Sequence, residues 1–311
     1  MEVFISNVIP VFALIACGFF AGKFKLFGKK SSEVLNQFVY YFSLPALLIH
    51  SISVAPISDI LNENFILAYS LGMVIVWFVS SLISKFLYRD NLEITALQGV
   101  NATYGNTGYL GIPLGVSVFG SAALVPASIT IAVNAFLIIP FAAILIEFSR
   151  NRSKDFNHVI LGIFRALLIN PLVLSVLIGL ILCFNDVRFP NAVDNFLSIL
   201  GAAAGPCALI AIGLFVSNIP IKGIFVRLGV TSILKLILFP FAVWVLVELF
   251  FPLSQMWVAM AIIMAGTPLG ATAFVVAQKY NIGVSESSAS IVVTTAISLI
   301  TLSILVTLFS G

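Results

Sequence analysis

Charge is almost absent from long stretches of this chain. Apolar runs of about twenty residues recur along its length, and nearly all Lys, Arg, Asp and Glu sit in or near the gaps between them. A run of that length spans a hydrocarbon layer as a helix. Only 9% of the residues are charged and 61% are hydrophobic, whereas a soluble protein of this size carries about a quarter charged residues. Water cannot be the main solvent for such a surface. In lipid each backbone polar group must be satisfied within the protein, so the expected fold class is an all-α integral membrane protein.

Charges and turn residues divide the sequence into ten apolar segments, at about 3–22, 33–54, 64–88, 93–119, 121–147, 157–184, 192–218, 223–251, 255–279 and 285–309. The first lacks a basic flank before it; Lys23, Lys25, Lys29 and Lys30 follow it instead, which anchors a helix and does not mark a cleaved signal. Lys and Arg crowd the odd-numbered loops, with Lys85 and Arg89, then Arg150, Arg152 and Lys154, then Lys222 and Arg227, then Lys279. Arg188 alone occupies the opposite loops. The positive-inside rule then places the odd loops in the cytoplasm and both termini outside it, in a multi-pass protein of the cell inner membrane.

The ten spans divide into two sets of five, residues 1–150 and 151–311, with the hydrophilic stretch Arg150–His158 as hinge. Corresponding spans share breakers and polar residues. Pro10 in span one answers Asn170-Pro171 in span six, and Asn36 and Pro45 in span two answer Asn195 and Pro206 in span seven. With an odd number of helices per half, the second half must enter from the opposite face, the arrangement of inverted-repeat transporters.

Spans four and nine are interrupted. Span four contains Asn101-Ala102-Thr103-Tyr104-Gly105-Asn106-Thr107-Gly108-Tyr109-Leu110-Gly111-Ile112-Pro113. Span nine contains Ala265-Gly266-Thr267-Pro268-Leu269-Gly270. Inside a helix Gly costs about 1 kcal/mol against Ala and Pro about 3, so an open backbone is expected at both places. Thr267 suits an N-cap and Pro268 a first helical position, while Asn106 or Thr107 suits the cap of a half-helix beginning just before Pro113. Two half-helix N-termini meeting at depth each present about half a positive charge and unpaired N–H groups, a setting for an anion. The candidate binding set is Asn106, Thr107, Pro113, Thr267, Pro268, Asn101, Tyr104 and Lys235. The last lies two turns deeper than Arg227 and is read either as a counter-charge or as a snorkelling side chain. Asn134 and Asn170 are read as hydrogen-bond formers between helices.

Other classes lack support. Basic residues form no patch for nucleic acid. Cys17, Cys183 and Cys207 have neither metal-ligand spacing nor an even count, so no metal, cofactor or disulfide framework is expected. No acid pair or histidine constellation within the spans points to an enzyme.

The run Asn106-Thr107-Gly108-Tyr109-Leu110-Gly111-Ile112-Pro113-Leu114 resembles the Asn-Thr-x-x-x-Gly-Ile-Pro-Leu signature of the auxin efflux carrier family, and Leu44-Pro45 and Lys279-Tyr280-Asn281 fit it too. That family includes plant auxin exporters and bacterial permeases for malate, malonate and related acids. The resemblance implies ten transmembrane helices in two inverted five-helix repeats, with broken helices four and nine crossing at prolines. It also implies a substrate carboxylate held by Asn106 and a homodimer formed through scaffold helices. The short link between the halves departs from the plant exporters and points to the compact bacterial permeases; the Gly108-Tyr109 pair also differs from the plant run, so pocket shape is not carried over. A cation-coupled symporter of the bile-acid type is the alternative, and it would want acidic or hydroxyl ligands for sodium near the crossing.

The topology has a direct test. Single cysteines at Ser58 and Asp186 are expected to react with an impermeant maleimide from outside intact cells, and cysteines at Ser31 and Ser153 are not. Outside labelling at Ser153 overturns the orientation.

Overall fold

A computed structural model describes residues 4–28, 30–150, 161–162, 165, 167–218 and 225–309. Lys29, Lys222 and most of the expected hinge lie outside the described residues. Those described form helices and connecting turns without a strand; their one isolated bridge joins Gly105 to Leu269.

Six stretches are long and apolar enough to cross a membrane: Ser6–Lys23, Ile57–Leu87, Thr107–Arg150, Asn191–Asn218, Phe225–Leu249 and Val284–Phe309. Pro171–Phe184 and Gln255–Ala265 are shorter apolar helices. The longest stretch folds back at Gly120, whose φ of 63° a side chain would rarely adopt. Phe20, Phe24, Phe78, Phe86 and Ile300 lie exposed on the surface, as lipid-facing residues do in a multi-pass membrane protein.

Proline shapes these helices in a regular way. Among the described residues, five of six π turns end two residues before a proline: Phe4–Val8 before Pro10, Val39–Ser43 before Pro45, Thr107–Gly111 before Pro113, Asn134–Ile138 before Pro140, and Leu234–Leu238 before Pro240. A proline ring crowds the carbonyl four residues back and removes one donor. Here the amide just before the ring reaches five residues back, as Leu44 does to Val39 and Phe239 to Leu234. The widened turn admits the ring without ending the helix.

Two groups of helices result. In the first, Ile9–Lys23 lies along Ala204–Asn218, while Pro171–Phe184 and Asn191–Ala202 both pack on Leu44–Ser53. In the second, Glu63–Leu82 packs on Leu92–Thr103 and Phe239–Leu249, and Gln255–Ala265 packs on Phe239–Leu249 and Val284–Phe309. Lipid is as apolar as leucine, so helices associate through close van der Waals approach at small residues. A Cβ on Gly18 would stand 2.2 Å from the Ile210 carbonyl oxygen, and one on Gly213 would stand 2.0 Å from that of Ile15. In the second group Phe65 meets Trp257 edge-on at 5.1 Å, and Tyr69 lies 5.4 Å from Phe239.

Gly213→Leu is therefore expected to cost about 1–3 kcal/mol or more as overpacking. Its melting temperature in detergent should fall clearly. Gly229→Ala, whose Cβ meets nothing within 4 Å, should leave it unchanged or slightly raised.

Candidate functional site

The helix Leu92–Thr103 is started by Asn91, whose side chain accepts from the Ile94 N–H at 3.0 Å. It ends at Thr103, and the chain runs through Tyr104, Gly105 and Asn106 before turning helical again at Thr107. The helix Gln255–Ala265 likewise ends, and the chain resumes helix only at Thr272. The two openings lie side by side and antiparallel. The Asn106 N–H donates to the Pro268 carbonyl at 2.7 Å, and the Gly270 N–H donates to the Tyr104 carbonyl at 3.0 Å. Each opening thus supplies partners that the other lacks, which is how unwound backbone is tolerated away from water.

Glycine makes the approach possible. A Cβ on Gly105 would lie 2.4 Å from Thr267 Oγ1, and one on Gly270 would lie 3.0 Å from the Gly105 carbonyl oxygen. Side chains tie the paired openings to their surroundings. Thr294 Oγ1 accepts from the Leu269 N–H at 3.1 Å, and the Asn134 amide donates to Thr107 Oγ1 at 3.2 Å.

Several expectations need correction here. Thr267 does not cap a second half-helix: its hydroxyl donates to the Met264 carbonyl at 2.7 Å, closing the end of the first. Pro268 lies within the extended opening, and the following helix starts at Thr272. The α-helix of span four does begin just before Pro113, at Ile112, but a π turn from Thr107 leads into it; Asn106 stands at the N-cap position without a side-chain cap, and its carbonyl accepts from Leu110 and Gly111. Pro113 sits beyond the π turn, near Gly205, so only one of the two openings falls at a proline. Asn170 caps its own helix, accepting from Leu172 at 2.9 Å, where an interhelical bond was expected. Lys235 does not snorkel. It is fully buried and its Nζ donates to the Ala265 carbonyl at 2.6 Å.

The polar set divides accordingly. Asn106, Thr107, Thr267, Pro268, Tyr104 and Lys235 come together around the openings. Asn101 lies on the preceding helix, fully buried, accepting from Ser287 at 3.1 Å, with its amide nitrogen unpaired among the described residues. The Asn106 carboxamide is half-buried and makes no hydrogen bond among the described residues. Tyr104 faces Thr272 and lies near Tyr40 and Tyr109, while the Tyr109 hydroxyl donates to the Asn36 carbonyl at 3.1 Å. Tyr40 carries no signal in the sequence, where tyrosines inside apolar spans have no distinguishing spacing, and Tyr109 stands out there only as part of the family run.

A second polar centre was not foreseen either. Arg227 pairs with Asp90 at 2.8 Å and approaches Glu286 at 3.8 Å, and its guanidinium lies over the Tyr88 ring. Gln98 donates to Glu286 at 2.9 Å, and Ser84 donates to Asp90 at 2.7 Å. Charges at the ends of separate spans give no sequence signal that they share one cluster.

Paired helix breaks inside a multi-pass bundle are an arrangement found in membrane carriers. The chain belongs to the family of membrane transport proteins that includes the auxin efflux carriers, whose model matches residues 3–306. It is similar to a putative malonate transporter of Rhizobium meliloti, 28% identical over 94% of this chain and 92% of that one. It is also similar to auxin efflux carrier component 8 of Arabidopsis thaliana, 24% identical over 89% of each chain. A third relative, the lysosomal cholesterol signaling protein of Mus musculus, is 26% identical over 78% of this chain and 29% of its own length.

Because backbone pairing depends on Gly105, Gly105→Ala is expected to force the openings apart, losing about 1 kcal/mol for each of two hydrogen bonds. Gly108→Ala, whose Cβ meets only side-chain tips at 3.5 Å and beyond, should be tolerated. Melting temperature separates the two variants.

Proposed function

We propose that this transporter moves a small organic carboxylate anion across the cell inner membrane by alternating access, with the substrate held at the paired openings. The observation that carries this reading is the free, half-buried carboxamide of Asn106 beside the start of the Thr107 helix. The first N–H groups of a helix have no partner within it, and the dipole there is positive. The helix starting at Thr272 adds a second such end. Tyr104 and Thr107 offer neutral hydroxyls to the same space, Thr267 and Pro268 shape its other wall, and the malonate named for one relative favours a short carboxylate.

The bundle is read as ten spans in two inverted halves, 1–150 and 151–311. Packing supports this reading: contacts come in exchanged pairs. Ile9–Lys23 on Ala204–Asn218 is answered by Pro171–Phe184 on Leu44–Ser53, and Glu63–Leu82 on Leu92–Thr103 by Phe239–Leu249 on Gln255–Ala265. The antiparallel bridge Gly105–Leu269 would then lie on the pseudo-twofold axis. Both termini face away from the cytoplasm in this reading, and two copies associate through the first helix group. A carrier of this kind without a titrating carboxylate at its site moves the anion's own charge, worth about 2.3 kcal/mol per 100 mV.

Asn106→Ala is expected to insert and melt like the wild type while binding malonate about 10- to 150-fold more weakly, since a hydrogen bond to a charged group contributes about 1.5–3 kcal/mol. Malonate counterflow in proteoliposomes reads this directly. Unchanged affinity in the variant removes Asn106 from the site, and absence of counterflow by any short carboxylate in the wild type overturns the substrate class.

A further inference from the structure

Lys235 places an amine at the end of a broken helix, where a cation would find oxygen donors. It is fully buried, and among the described residues no carboxylate lies within ion-pair distance of it. Its Nζ donates to the Ala265 carbonyl at 2.6 Å and stands 5.0 Å from the centre of the Phe239 ring. Ala265 is the last residue of the helix Gln255–Ala265, so that carbonyl belongs to the negative end of the broken helix. Three atoms converge beside Gly105: Thr267 Oγ1, the Met264 carbonyl oxygen and Lys235 Nζ lie 2.4, 3.4 and 3.4 Å from the point where a Gly105 Cβ would be. Helix-end carbonyls and a hydroxyl are the oxygen donors that hard cations take, and unwound helices of transporters hold Na⁺ with such groups.

We propose that the Lys235 ammonium is a resident, tethered monovalent cation, standing where an oxygen-coordinated Na⁺ or K⁺ would otherwise bind at the end of this broken helix. The negative helix end and the aromatic face both attract a cation at this position. A second cation at the same oxygens would face a like charge at close range and is excluded. The consequence for transport rests on the anion-carrier reading: with the negative helix end neutralised from within, the positive ends at Thr107 and Thr272 attract the anion without a co-transported cation. The binding claim itself does not depend on the substrate.

The test is thermal unfolding of purified protein in detergent, without substrate, in NaCl, KCl and choline chloride at equal ionic strength. Wild type should melt at the same temperature in all three. Lys235→Ala should melt lower in choline chloride and regain most of that loss, saturably, in NaCl or KCl. Lys235→Met, which fills the space with an apolar chain, should regain none. A wild type stabilised by Na⁺ or K⁺ over choline overturns the proposal, and that arm holds even where the alanine variant fails to fold. A folded Lys235→Ala blind to alkali cations, or a Lys235→Met rescued equally, overturns it too. Since no substrate is present, absent carboxylate counterflow counts against the transport reading alone.

Discussion

Unpaired backbone polar groups are the constraint on which this architecture depends. A helix that opens inside an apolar bundle leaves N–H and C=O groups with no water to take them, at a cost of several kcal/mol each. Here two openings answer one another across the Gly105–Leu269 bridge, and the Met264 carbonyl, the Leu269 N–H and the Ala265 carbonyl are taken up by Thr267, Thr294 and Lys235 respectively. Those three side chains are committed to holding the openings. The Asn106 carboxamide, by contrast, is half-buried and makes no hydrogen bond among the described residues.

Proline plays two physically distinct parts. Pro268 sits in extended backbone, where its missing donor costs nothing and its carbonyl is used by Asn106. Pro10, Pro45, Pro113, Pro140 and Pro240 each follow a π turn that widens the helix to receive the ring. A proline in a membrane helix therefore does not by itself mark an opening; the glycines that let two backbones meet are the better marker.

Among the described residues the carboxylates are segregated from the openings. Asp90, Arg227 and Glu286 satisfy one another in a cluster with Gln98 and Ser84, at the ends of their helices. Such buried pairs add little net stability but are costly to break singly, so the cluster binds helix ends that the apolar packing alone leaves free to slide. Among the described residues the openings keep neutral donors and the Lys235 amine.

Much of this was written in the chain itself. Apolar runs and their charged punctuation determine a multi-pass helical membrane protein, because lipid admits few other backbone solutions. Gly, Asn, Thr and Pro inside two of those runs determine where helices open, because such residues are unfavourable in a continuous helix. The resemblance carried by Asn106 to Leu114 pointed to the family that the whole-chain match established. Only tertiary structure decided which carbonyl met which donor. Thr267 had the right chemistry for a cap and served the helix before it, Pro113 had the right residue type and lies in continuous helix past a π turn, and the role of Lys235 turned on the Ala265 carbonyl beside it. Those outcomes depend on contacts between segments far apart in sequence, to within a few tenths of an ångström, and local residue preference holds no information at that range.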